Sequence, residues 1–528
     1  MKYAFHKDFH IATIESEADW QQLRVNTLIQ NTEAKQPSIN AFLGARYSRS
    51  ADAIVDIARE IYESGKDASK RLEAIFFNYG HKSVGDMADL FLCLENIPII
   101  SAQRFFYLNP VLAGQERSTR YQDFSKPKFI NFPKGLKVSD KIRKGYEKII
   151  FQALKNYEDL REPVTKKYIE HFKVDIKDAN ANGALKARVF DTIRYFVPIG
   201  LHTSLGAVMS ARTWAERIAY YRASRFSIER ELGEMIFQLL IGNKELNELG
   251  YLPEADTLIR HSDADLTRNQ SSEEILKFLK KYSKNGSKSK TKNNEFDINN
   301  SIKASTELIK NYSLLINPYR NILELEANNE SLKETVGKII SKYHDHHHQI
   351  GNVAQAGSIL IEGITDYGVL KDLIRHRSFE KFVPILEENV NMDAELNRET
   401  PYGMCNYLEI GEMKTIKNIY IKKMDEYYDS IREWYKLAKQ ELNKDMSTEY
   451  VRYLLTHGHS TKYKFYASID DLAYTIALRT RNGGHIAYRK LTYDWLVELA
   501  RTDKFWTGLL NKIPKVEVDS REQFIDRS

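Results

Sequence analysis

The sequence predicts an α+β protein made of two homologous units, each a small, mainly antiparallel sheet with several long helices. Three observations carry this expectation: a lysine-rich break near the midpoint, residue patterns that recur in order on both sides of it, and short apolar runs alternating with long stretches of helical periodicity. On length alone, 528 residues would accommodate roughly three domains of ordinary size. A content of 42% hydrophobic and 28% charged residues is that of a folded globular chain.

Taken in order, residues 1–45 read as an N-terminal extension, 46–279 as the first unit, 280–300 as a Lys/Ser/Asn-rich linker and 301–528 as the second unit. In the first unit a helical stretch at 53–79 precedes an apolar run at 90–100, dense in Leu, Ile and Phe, that reads as a strand. In the second, the helix falls at 332–343 and the apolar run at 359–374. A long amphipathic helix follows at 415–442, where Ile416, Ile419, Tyr420, Met424, Tyr427, Ile431, Trp434 and Leu437 recur at three- and four-residue spacing. Final helical regions at 208–240 and 472–499 carry further arginines.

The linker owes its assignment to 280–294, which holds six lysines, no acidic residue and no large aliphatic one. Such a stretch buries too little apolar surface to offset the entropy of ordering it. A basic arm for nucleic acid is the competing reading. On either side of it, His81 and Glu95 recur 267 positions on as His348 and Glu362, and Arg194 through Gly200 recurs 258 positions on as Arg452 through Gly458. The nine-residue difference fits a shorter intervening segment in the second half. Arg222 and Arg479 follow the paired arginines Arg194 and Arg452 by 28 and 27 residues, and these four correspondences in the same order point to a tandem duplication.

Charge says less. The 78 Lys and Arg against 72 Asp and Glu leave +6, with a pI near 8.8, which favours small anionic ligands over a nucleic-acid partner. The six linker lysines equal that whole excess, so the positions of the arginines carry more information than their number. Cys93 and Cys405 are too few for a disulfide framework or a multi-cysteine zinc site. No secretory h-region or membrane-length apolar run is visible, so a cytoplasmic protein is expected.

Two segments concentrate chemistry. In Gly114-Gln115-Glu116-Arg117-Ser118-Thr119-Arg120-Tyr121, a carboxylate, a hydroxyl and a guanidinium occupy alternate positions, which share one side of an extended chain. Ser118 and Arg120 suit a phosphate, and equally a surface turn with an ordinary salt bridge. In Arg375-His376-Arg377-Ser378 two guanidiniums flank an imidazole at the end of an apolar run, either a solvated turn or a cationic patch that an anion would match. His344, His346, His347 and His348 tempt a metal assignment, but nearly consecutive side chains rarely converge on one ion. No metal site is expected.

As a set, these motifs resemble the flavin-dependent thymidylate synthases. Gly80-His81-Lys82-Ser83, Glu116-x-Ser118-x-Arg120-Tyr121, Arg194 through Pro198 and Arg222 match that family in the first half; Arg375-His376-Arg377, Arg452, and Arg479 followed by His485 match it in the second. The family's Arg-His-Arg reads Leu108-Asn109-Pro110 in the first unit, and its Glu-x-Ser-x-Arg-Tyr reads Glu380-Lys381-Phe382-Val383-Pro384 in the second. Each unit keeps what the other has lost. The resemblance implies reductive methylation of dUMP to dTMP, with methylenetetrahydrofolate as carbon donor, FAD as cofactor and NADPH as reductant, at composite sites shared by the units of a homodimer that mimics the family's tetramer. It assigns Ser118, Arg120, Arg194 and Arg452 to dUMP, with Glu116 orienting Arg120. Arg479 or Arg222 would contact the uracil. His81, Ser83, Arg375, His376, Arg377 and His485 would contact FAD. The lost motifs leave open a related flavoenzyme adding another one-carbon group, or an inactive duplicate that binds nucleotide or RNA.

Overall fold

The structure, a computed structural model, describes residues 2–5, 10–13, 41–42, 44–46, 50, 82–108, 113–119, 124, 126–133, 135–242, 256–282, 296–299, 301–316, 328–344 and 357–526. The expected helix at 53–79, most of the lysine-rich stretch, His81, Arg120 and His346 to His348 lie outside the described residues. The fold is α+β, with long helices around two small antiparallel sheets. Among the described residues no helix is long and apolar enough to cross a membrane.

The chain forms two compact units that alternate in sequence. The first comprises Met1–Asn131 and Leu201–Gly286, the second Phe132–Gly200 and Ser287–Ser528. In the first unit, strands β1 (Lys2–Phe5), β2 (His10–Thr13), β3 (Asp89–Pro98), β4 (Ala113–Glu116) and β5 (His202–Ser210) make an antiparallel sheet in the order β1-β2-β3-β5-β4. Alternation along β3 buries Leu90, Leu92 and Leu94. The period then breaks at a bulge between Glu95 and Ile97, where Asn96 adopts φ 57°. That extra residue returns Ile97 to the core, and the chain enters the fully buried helix Ile99–Tyr107.

In the second unit, β6 (Phe296–Asn299), β7 (Ser358–Asp366), β8 (Glu380–Phe382) and β9 (Ser460–Ser468) form a sheet in the order β6-β7-β9-β8. The helices Asp140–Phe172 and Lys414–Glu441 pack together beside it. Phe132 stacks on Tyr450 at 4.0 Å, and Tyr146 and Trp434 close the same aromatic cluster. The apolar stripe expected on 415–442 is the buried face of its helix, with Ile416, Tyr420, Met424, Tyr427 and Ile431 inside and Ile419 exposed.

The two sheets share one wiring. β3, β5 and β4 correspond to β7, β9 and β8 in order, and Ala113 pairs with Val208 as Glu380 pairs with Tyr466, partners displaced by the same 267 and 258 positions as the sequence repeats. Each central strand ends in a serine whose side chain caps the next helix: Ser210 accepts from Thr213 N, and Ser468, 258 positions on, accepts from Asp471 N.

Within the second unit, segments 195–200 and 453–458 face each other reciprocally. Ile199 N donates to Leu455 O (2.7 Å) and His457 N to Val197 O (3.0 Å); Gly200 N donates to Tyr453 O (3.0 Å) and Gly458 N to Tyr195 O (3.0 Å). Exchanging each residue for the one 258 positions away turns every bond into its mate, with the bridge from Pro198 to Thr456 at the centre. This is the isologous pattern of a twofold interface, here inside one chain.

Candidate functional site

The helix Tyr367–Leu373 leaves β7 with Asp366 as its cap, the Asp366 carboxylate accepting from Val369 N at 2.9 Å. The helix ends directly before Arg375-His376-Arg377. Helix Ile469–Arg479 delivers Arg479 to the same place: its Nε donates to His376 Nε2 (2.9 Å), its guanidinium donates to Asp372 O (2.8 Å), and it lies 5.3 Å from the Tyr488 ring. Because Nε2 accepts, His376 carries its proton on Nδ1, 3.1 Å from Thr475 Oγ1. Burial, together with the Arg479 and Lys381 charges, pushes the imidazole down to about 3, so it is neutral at physiological pH.

Asp372 balances this cluster. Burial alone would raise its carboxyl, but Arg194, Arg375 and Arg479 hold it well below the usual carboxylate range. Arg194, buried, lies 3.5 Å from Asp372 and 3.8 Å from Asp191, and donates to Gly368 O at 2.9 Å. Arg375 is half-buried and Arg377 exposed. Three guanidiniums around a neutral imidazole, with Asp372 already engaged by Arg194, make an anion-accepting surface whose planar forks suit phosphate or carboxylate.

The other expected residues fall as follows. His485 is fully buried: Nε2 lies 3.0 Å from Asp191 O, and Nδ1 accepts from Ala487 N (3.2 Å) to cap the helix Ile486–Thr502. Arg452 is buried and donates to Ile385 O at 2.9 Å. In the first unit Glu116 is buried and accepts from Gln103 Nε2, whereas Ser118 and Ser83 are exposed. Arg222 donates to Ser262 O (2.9 Å), pairs with Glu234 (3.2 Å) and covers the Phe237 ring at 4.4 Å.

Sequence reasoning missed Asp372, Arg104 and Arg217. Arg217 donates to Phe105 O (2.7 Å) and Leu108 O. Phe105 and Leu108 stand 267 positions before Asp372 and Arg375, so Arg217 and Arg479 serve the same carbonyl in the two units. They do so from different helix positions, because Arg217 aligns with Thr475 and Arg479 with Tyr221, one turn apart. Arg104 is buried against Glu229 and Tyr220, so that end of the first unit carries a closed ion pair. The strong 258-residue register was the one signal that could have aligned Arg479 with Tyr221 rather than with Arg222.

Residues 27–239 match the family model described as thymidylate synthase complementing protein. A UPF0159 protein of Chlamydia pneumoniae is 19% identical over 485 residues, covering 88% of this chain and 85% of that protein. A UPF0159 protein of Chlamydia muridarum is 19% identical over 458 residues, covering 84% and 80%. Among solved structures, the UMP/dUMP methylase PolB from Streptomyces cacaoi bound with 5-Br dUMP aligns at 13% identity over 42% of this chain and 96% of that one, with a TM-score of 0.28.

Proposed function

We propose that this chain, which belongs through residues 27–239 to the thymidylate synthase complementing protein family, methylates dUMP to dTMP, with FAD as cofactor, methylenetetrahydrofolate as carbon donor and NADPH as reductant. Beyond the family match, the observation that carries this reading is Arg479 seated on neutral His376 beside Arg375 and Arg377. That donor set fits a flavin dinucleotide, whose diphosphate needs guanidinium partners and whose ring carbonyls need hydrogen-bond donors. When bound, reduced FAD supplies the hydride.

In this reading Arg375 and Arg377 hold the dinucleotide phosphates. Arg479, fixed by His376 Nε2 and Asp372 O, points one rigid cation at the uracil and stabilises negative charge growing on it. Arg479 takes this role rather than Arg222, whose guanidinium is engaged by Ser262 and Glu234. Ser118 and Arg120 hold the dUMP phosphate, with Glu116 orienting Arg120. His485, with both ring nitrogens engaged, supports the loop after Arg479, and Arg194 anchors Asp372.

Substrate groups from one repeat and flavin groups from the other fit a duplicated family subunit, and two chains together then carry four such repeats. The common strand register and the reciprocal bonds at 195–200 and 453–458 support the duplication. Purified protein should be yellow and should convert dUMP to dTMP with methylenetetrahydrofolate and NADPH. Flavin-loaded protein that yields no dTMP overturns the reaction, and protein that cannot be loaded with flavin overturns the cofactor. Light scattering at a monomer mass on flavin-loaded protein would refute the pairing of two chains.

A further inference from the structure

We propose that the loop behind Arg479 closes a second ligand site, a cleft in the second unit that takes a nucleoside phosphate and is distinct from the Arg375–Arg377 cluster. After Arg479 turns its guanidinium to His376, the chain reverses through Asn482 and Gly483, the latter at φ 58°. The residues just past the turn point of the helix line a cavity of about 360 Å³, at the small end of the range of ligand pockets.

The charge of this cleft is one-sided. Arg481, Arg489, Lys512 and Lys515 line it, against the single carboxylate of Asp526. Arg489 is 2% exposed; it donates to Asp519 (2.6 Å) and Asn482 (2.8 Å), and its Nε has no hydrogen-bond partner among the described residues. Asp519 is shared, since it also accepts from Tyr407 and lies 3.9 Å from Arg188. Lys512 donates to the carbonyls of Ser341 and His344, which are neutral, so its charge stays uncompensated. Lys515 pairs with Glu517 where both are well exposed and screened by water. Arg481 is exposed and makes no ion pair among the described residues.

Two amides sharpen the chemistry. Asn482 accepts from Arg489 through its oxygen, and Gln523 accepts from Ser520 N through its own. Each keeps its NH₂ donors for the cleft, and with the four cations they give it more donors than acceptors, which suits an acceptor-rich ligand. Part of the lining wall is carbon, from Leu509, Ile513, Pro514 and Val516. Inorganic phosphate would leave that wall wet, whereas the base and sugar of a nucleotide would cover it.

The test is calorimetric titration of the full chain with AMP, CMP, adenosine and inorganic phosphate. At least one nucleotide should bind, with adenosine and phosphate each at least about tenfold weaker. Arg481→Ala and Lys515→Gln, both at exposed positions, should keep the wild-type Tm and lower nucleotide affinity about tenfold each, the usual effect of losing a charge-assisted contact. A loss of the same size in Arg377→Ala with both cleft variants unaffected would place the binding at the Arg375–Arg377 cluster instead. That result, absence of nucleotide binding, or affinity within twofold of wild type in both cleft variants overturns the site. Phosphate binding as tightly as the nucleotides overturns the nucleoside assignment.

Discussion

Arg479 is worth more than its charge, because two acceptors depend on it. Truncation to Ala leaves Asp372 O and His376 Nε2 unpaired in a confined space, a loss of about 1–3 kcal/mol per group, and removes the cation assigned to the uracil. Arg479→Lys cannot make both bonds from one compact ammonium. Both variants should drop dTMP formation at least about a hundredfold, with Lys keeping more stability than Ala, as melting curves and product assays would read. An activity loss below tenfold in Ala would remove Arg479 from the reaction. A second residue-scale prediction concerns Asp366, which burial raises from 3.8 to about 6 despite its bond to Val369 N. Between those values the folded protein holds a proton that the unfolded chain has released, so this group's contribution falls as pH rises through the window and stays lower above it. Asp366→Asn keeps the cap and loses the buried charge. It should therefore gain on wild type at pH 7 by up to roughly 2–3 kcal/mol and gain little at pH 4. Equal shifts at both pH values would show that the carboxylate is not strained by burial.

At the scale of elements, the seam of reciprocal bonds depends on two glycines. A Cβ on Gly200 would meet the backbone of Tyr453, and one on Gly458 would meet Met424 and Tyr195 O. Gly200→Ala must push the paired segments apart, and overpacking of this kind costs about 1–3 kcal/mol. It should lower the urea midpoint by more than Gly411→Ala, whose Cβ would enter open space. Similar midpoints for the two variants would mean that the seam yields. These elements also show what could be read from residues alone. The amphipathic helix at 414–441 and strand β3 announce themselves by period, because each buries one face. Strands β5 and β9 were hidden: Gly206, Thr203 and the serines of β5 blur its alternation, and the lysines of β9 read as polar chain rather than as the exposed side of Tyr463, Phe465 and Ala467. Arg375-His376-Arg377 was visible as a charge cluster. Asp372 was invisible, because its importance comes from three arginines delivered by separate elements.

For the molecule as a whole, pH is where buried groups of opposite tendency compete. His376 and His485 are pushed down to about 3, by burial and neighbouring guanidiniums, and burial with Lys371 and Arg194 puts His457 well below its ordinary value. A histidine kept neutral in the fold contributes its full stability above the unfolded value near 6.5 and loses it as pH falls, because the unfolded chain takes up protons that the folded one refuses. Asp366 acts in the opposite sense from pH 6 down to about 4. With His202, pushed down to about 4, and His459 joining the histidines and Asp503 joining Asp366, five histidines against two carboxylates leave the histidines ahead, by at most roughly 4 kcal/mol per pH unit in that interval. Below it, Asp372 adds to the loss, since protonating it releases the guanidiniums it balances. Stability should therefore peak near neutrality and fall steadily from pH 6.5 to 4.5, which urea midpoints in steps of half a pH unit would trace. His485→Gln, which can still cap the helix and still donate to Asp191 O, should flatten the acid limb by about one histidine's share, up to roughly 1.4 kcal/mol per pH unit. An acid limb unchanged in that variant would mean that His485 already binds a proton in the folded state, and with it the neutral-imidazole reading of the loop that carries Arg479 would fail.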